Sequence, residues 1–148
     1  MRERKRIGPH EVWQEADTDF ICWSHIGMLE EAEALELIHC VVSFTRPRKP
    51  TFLLCDHRKA TGVSAEARRL ISSKQHTREF EGYIAIFGAS SPVRILTNLI
   101  FKAAALTLPF ELHMGSFSLE PEARAWLAAH KQEVFRREEE TMAQGTVS

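Results

Sequence analysis

An α/β fold is what this sequence predicts: a mixed, mostly parallel sheet of about five strands with about four helices, in the order ββαβαβαβα. Three observations carry it. Short apolar runs of strand length, such as Phe52-Leu-Leu-Cys-Asp56 and Tyr83–Phe87, alternate with longer segments of helical apolar spacing. Cap signals fall between them, notably Ser64 and Ser91-Pro92. Strands that alternate with helices also demand crossovers, and right-handed crossovers build a parallel sheet with helices packed against it.

Val12–Glu15 and Phe20–Ile26 read as two strands joined by the polar turn Ala16-Asp-Thr-Asp19, an antiparallel edge that Gly27 ends. Alternation places Phe20, Cys22 and Ser24 on one side, with Ile21, Trp23 and His25 on the other. A helix follows from Leu29 to about Phe44, with Leu35, Ile38, Val41 and Val42 at helical spacing. Its glutamates lie early, where the macrodipole favours them, and the prolines of Arg46-Pro-Arg-Lys-Pro50 stop it. Phe52–Asp56 reads as a central strand covered on both faces. Ser64 caps a second helix to about His76, whose thin stripe of Ala67, Leu70 and Ile71 leaves most of it to water. After the strand Tyr83–Phe87, a third helix runs over Pro92–Leu106 with a proline at its first position. Phe110–Met114 alternates, with Phe110, Leu112 and Met114 inward. The last helix, from about Leu119 to Arg137, presents Ala123, Trp126, Leu127, His130 and Val134 on one face. Residues 8–137 are thus expected to form one domain, with a basic N-terminal segment, 1–7, and a flexible tail, 138–148.

Composition narrows the function classes. The net charge is −1 over 148 residues, which speaks against a nucleic-acid partner for the whole domain. Charge runs such as Arg2–Arg6 and Glu138–Glu140 read as solvated surface. No apolar run approaches the length of a membrane span, and none follows Met1-Arg-Glu-Arg-Lys-Arg6 as a secretory signal would require. Cys22, Cys40 and Cys55 are widely spaced in apolar contexts, as buried thiols of a reducing, cytoplasmic compartment would be.

The seven histidines show neither H-x-x-x-H nor Cys/His ligand spacing, so no metal is expected. His25 and His113 both lie on strands and could meet across the sheet. No Gly-x-Ser-x-Gly elbow and no nucleotide-loop string is present, so neither an enzyme nor a cofactor is expected. Candidate binding residues remain. Asp56 and Arg58 close a central strand, and in open α/β sheets ligands bind at the carboxyl ends of strands. The alternative is that Asp56 caps a turn and Arg58 neutralises it. Ser90 and Ser91, in Gly88-Ala-Ser-Ser-Pro92, offer free amides to an anion or simply cap the third helix. Arg94, Asn98 and Lys102 recur at four-residue steps and mark that helix's exposed stripe, with Phe101 beside them and Leu96, Leu99 and Ile100 left for the core.

In element order and local strings the chain resembles the SpoIIAA-like branch of the STAS (STAS/SEC14-like) domains. Those domains open with a hairpin ending in Gly and a helix, continue with a strand ending in Asp-x-Arg, and close with Phe before a helix holding an Ala-x-x-Trp-Leu-like string. The counterparts are Ile26-Gly27, Cys55-Asp56-His57-Arg58, and Phe117 followed by Glu122-Ala-Arg-Ala-Trp-Leu127, spanning Glu11 to Leu127. The resemblance implies a non-catalytic interaction or regulatory module of the anti-sigma-factor-antagonist kind, docking on a protein partner through helix surfaces. SEC14-like relatives imply the alternative, a carrier of a small apolar or lipid-like ligand walled by the third helix. The phosphorylatable Asp-Ser-Ser-Gly string of the classical members is absent. Counting from Asp56 puts Ser64 at their capping Asp and Glu66 at their switch serine, with Arg69 on the same helix; sliding the register instead aligns Thr61-Gly62 with Ser-Gly. A homodimer through the hairpin edge or the third helix is also open.

Overall fold

The computed structural model describes residues 4–45, 50–72, 82–107 and 112–147. Six strands form one sheet whose spatial order is the chain order: β1 (Lys5–Ile7), β2 (His10–Gln14), β3 (Ile21–Leu29), β4 (Thr51–Val63), β5 (Gly82–Phe87) and β6 (Leu112–Phe117). The first two junctions are antiparallel, and β3 through β6 run parallel. Among the described residues, three helices lie in the parallel crossovers: α1 (Glu31–Thr45), α2 (Ala65–Ile71) and α3 (Ser91–Thr107). Each crossover steps the same way along the sheet, so crossovers of one hand put all three helices on one face. The last helix, α4 (Glu120–Val147), follows β6 and covers the other face.

Two cores result, one per face. Ile21, Trp23, Leu53, Cys55, Ile84 and Ile86 point toward α1–α3, while Phe20, Cys22, Phe52, Leu54, Ala85 and Phe87 point toward Ala123 and Leu127 of α4. The alternation expected for β3 is therefore the one that divides the molecule. The three cysteines are buried and free, and burial pushes the Cys22 thiol up to about 12 and the Cys55 thiol higher still.

The structure departs from the sequence reading at several places. A sixth strand, β1, takes Lys5–Ile7 out of the expected N-terminal segment, with Ile7 fully buried. Gly27 does not end β3; the strand continues to Leu29 alongside a β4 of 13 residues. Ser24 pairs with Asp56 and Ile26 with Lys59, so β4 bulges by one residue at His57-Arg58, and it bulges again before Gly62. On α1 the buried stripe is Ala34, Cys40 and Val41, with Leu37 and Phe44 packed on it, one position round from the stripe expected. Helix α2 closes at Ser72, and the rest of the expected second helix, to His76, falls within residues 73–81, outside the described residues. So do Arg46–Lys49 and Phe110. Helix α4 continues ten residues past Arg137, because Arg136 pairs with Glu133 and Glu140 at 2.6 Å each and Arg137 pairs with Glu133 at 3.2 Å. Residues 138–145 of this extension are exposed, and it is held by its own i,i+3 and i,i+4 pairs.

Candidate functional site

The first bulge of β4 sets Asp56 and Arg58 level with Phe87, where β5 ends, while β3 and β4 continue past them. Asp56 Oδ1 accepts from the Arg58 backbone N–H at 3.0 Å and from Nε at 3.0 Å, and Oδ2 accepts from Nη2 at 2.7 Å. Burial alone would raise the Asp56 pKa, but the fork of hydrogen bonds from Arg58 outweighs it and holds the carboxylate ionised. This is the neutralised arrangement, with Asp56 capping its own bulge. The guanidinium also lies 5.6 Å from the Phe87 ring centroid. The chain after β5 approaches it closely: a Cβ on Gly88, whose φ is +75°, would lie 2.4 Å from Arg58 Cγ. Gly88→Ala is therefore expected to cost about 2 kcal/mol, through left-handed backbone strain and displacement of Arg58. The check is the urea midpoint against wild type, and an unchanged midpoint would mean that Arg58 does not need this seat. Ser90 and Ser91 follow on the exposed side, where the Arg94 N–H donates to the Ser90 carbonyl at 2.8 Å, so Ser90 stands at the N-cap position just before α3.

A cleft of about 440 Å³ opens beside this pair, on the α4 side of the sheet where α4 does not reach over β2 and β3. Its floor is built from Trp13, Ser24, Asp56 and Phe87. One wall is a charged bracket between the β2–β3 turn and the first turns of α4. Arg124 donates from Nη1 and Nη2 to the two oxygens of Glu15 at 2.9 and 2.6 Å, and from Nε to Glu120 at 2.8 Å. The hydrogen bonds from Arg124 hold the Glu15 carboxyl down at about 2, against the burial that would raise it. The opposite wall is Arg4, stacked 4.0 Å above the Trp13 ring centroid.

On the other face the sheet buries a row of imidazoles. His10, His25 and His57, on β2, β3 and β4, touch edge to face, with centroids 5.1 Å apart for the first pair and 4.9 Å for the second. The Ile26 N–H donates to His10 Nδ1 at 3.0 Å, so the ring proton sits on Nε2, which donates to Glu33 at the start of α1, 3.1 Å away. Further along the row, His25 Nε2 and His57 Nδ1 have no hydrogen-bond partner among the described residues. Burial, reinforced by the neighbouring imidazoles, lowers the pKa of His25 to about 4 and of His57 to about 3. Among the described residues, no three His, Cys, Asp or Glu side chains converge as metal ligands would. His25 does not meet His113. The latter lies on β6 and stacks on Tyr83 of β5 at 4.7 Å, on the face that α4 covers. Sequence inspection missed the row, although each member sits at an inward position of its own strand.

The helices carry the remaining candidates. The Ser64 hydroxyl accepts from the Ala67 N–H at 3.1 Å and caps α2, with Glu66 and Arg69 exposed beyond it. On α3 the expected faces are exchanged in part. Phe101 packs into the core with Val93, Thr97, Ile100 and Ala104 turned inward, so it is not a surface aromatic. Ile95 and Leu99 are instead 59% and 60% exposed and Leu106 is 88% exposed, with Arg94 and Lys102 beside them and Asn98 half-buried. Ile95 and Leu99 thus face solvent rather than walling a ligand against the sheet. Neither the strand-end cleft nor a second one of about 540 Å³ under the far half of α4 includes an α3 residue.

No family model matches the sequence, and neither does any curated protein. Among solved structures, an uncharacterized protein of the DUF3478 family from Shewanella loihica PV-4, described as having a SpoIIAA-like fold, superposes with a TM-score of 0.53 at 21% identity. The likeness covers 78% of this chain and 90% of that one. At that identity it bears on architecture alone, and together with the strand order and the helix on each face it shows that this chain has a SpoIIAA-like fold.

Proposed function

We propose that this domain is a non-catalytic interaction module that docks an acid-rimmed protein surface on the outer face of α3. The observation that carries the reading is the exposed stripe of Ile95, Leu99 and Leu106 on a helix otherwise well packed. An apolar stripe of this kind fits an amphipathic partner helix or groove. Charge argues for the kind of partner. The helix carries Arg94 and Lys102 and no acidic residue, so two copies laid face to face would bring like charges together. The fold supports the reading only by analogy, since one fold hosts many functions.

The test is reconstitution of a purified pair, after a co-purifying protein has been identified by mass. Leu99→Glu is expected to weaken the complex about thirtyfold or more, as loss of a central anchor does. Its melting temperature should match that of wild type, because residue 99 contributes little to the core. Lys102→Glu should weaken binding less and flatten its salt dependence. A complex indifferent to Leu99→Glu overturns the proposal. Self-association abolished by Leu99→Glu would replace the acidic partner with a second copy of the chain.

A further inference from the structure

We infer that the strand-end cleft is a binding site for a small planar organic anion, separate from the α3 face. Its hydrogen-bonding capacity decides the sign of the ligand. The acceptors are largely spoken for: Glu15 takes both Nη groups of Arg124 and the Thr18 hydroxyl, and Asp56 takes three bonds from Arg58. Glu120 holds the third nitrogen of Arg124. The unused groups are donors. Lys59, exposed just after the bulge, and the half-buried Ser24 hydroxyl bond to no described residue. Among the described residues, Arg58 bonds through Nε and Nη2 and leaves Nη1 over, and Arg4 bonds only through Nη1, to Glu11 at 3.2 Å. A ligand that satisfies this cleft therefore brings acceptors, and a carboxylate, sulfonate or phosphate matches the surplus of positive donors.

Shape decides the rest of the class. The cleft's 440 Å³ lies within the range of small-molecule sites, about 300–1,000 Å³. Its flat surfaces are the Trp13 and Phe87 rings and the guanidinium planes of Arg4 and Arg58 lying over them. Such surfaces suit a planar ring, which stacks on aromatic and guanidinium faces alike. The location agrees, because β5 ends at Phe87 beside the cleft while β3 and β4 run on past it, and the carboxyl end of a strand in an open α/β sheet is where a crevice is left. The bulge at His57-Arg58 brings Arg58 and Lys59 to the surface in succession, so two cations stand at one rim.

The test is a fluorescence titration of the full chain with anilinonaphthalene sulfonate, an aromatic anion with a flat naphthalene face whose emission rises when it leaves bulk water. The expected result is saturable binding of one probe per chain, displaced by benzoate but not by benzyl alcohol. Lys59→Glu should weaken it about tenfold and Lys59→Arg should restore it. Leu99→Glu, on the opposite side of the sheet, should leave it unchanged. Binding lost in Leu99→Glu and kept in Lys59→Glu would place the probe on α3 and overturn the inference. Absence of saturable binding would overturn it as well, and neither result bears on the α3 docking reaction.

Discussion

Between pH 7 and pH 5 the folded domain is expected to lose about 4 kcal/mol of stability, roughly 2 kcal/mol each from His25 and His57. Both imidazoles are buried and, among the described residues, lack a partner on one ring nitrogen, so the folded state resists their protonation. Their folded values lie at about 4 and about 3, below the ordinary 6.5 that the unfolded chain regains. The unfolded state therefore binds more protons as the pH falls. Stability is fully present above pH 6.5 and drains away toward the folded values. His130, lowered chiefly by burial, acts in the same direction. The carboxylates Glu15 and Asp56 also have lowered values, but their contribution is lost as the pH falls below the ordinary carboxylate range, so little of it is lost between pH 7 and pH 5. Urea unfolding at pH 7 and pH 5 reads the effect. The double variant His25→Phe/His57→Phe keeps two rings of similar size and removes the titration, and its midpoint should hardly move between the two conditions. A wild-type midpoint equally indifferent to pH would mean that water reaches the row.

That row shows where the sequence stops being legible. The central strands were readable because Phe52–Cys55 and Tyr83–Phe87 are covered on both faces, and an unbroken apolar run has few other uses. Ser64 was readable because capping is a local hydrogen bond. The α4 face was readable because Ala123, Leu127 and Val134 repeat with the period of the helix. The histidine row depends instead on the lateral packing of three strands, and no local window contains that. The second half of β4 hid for a related reason: His57–Val63 is polar and holds a glycine, and it becomes a strand only because two bulges keep it in step with β3. Helix α3 offered more apolar residues than its buried face needed, so spacing alone chose the wrong ones for the surface. Beyond Arg137 a charged run was read as tail, although its charges stand at the spacing that supports a helix. At the cleft, Asp56 and Arg58 were visible as a strand-end pair. Trp13, Lys59 and the Glu15–Arg124 bracket were not, because Glu15 and Arg124 are 109 residues apart.

Gly82→Ala is expected to be the most damaging single-methyl change in the molecule, at about 3 kcal/mol or more, the upper end for an overpacked site. Gly82 pairs with Thr51 at the start of β5, between β4 and β6. A Cβ built there would lie 2.1 Å from the Thr51 carbonyl oxygen and 2.8 Å from its nitrogen. Those are backbone atoms of the neighbouring strand, so no rotamer change relieves the clash and the strands themselves must part. Their parting would reach both cores, because Phe52 stacks on Tyr83 at 5.4 Å in the next register position while Leu53 and Ile84 fill the opposite face. The opposite sign is expected at Gly145, where a Cβ meets nothing within 4 Å on the exposed end of α4, and alanine should add about 0.5 kcal/mol through helix propensity. Urea midpoints of the two variants, measured side by side, separate close approach from composition. If Gly82→Ala unfolds within about 0.5 kcal/mol of wild type, the β4–β5 spacing is softer than an interior at crystal-like density allows, and the strand-end cleft that rests on those two strands would have to be rigid for some other reason.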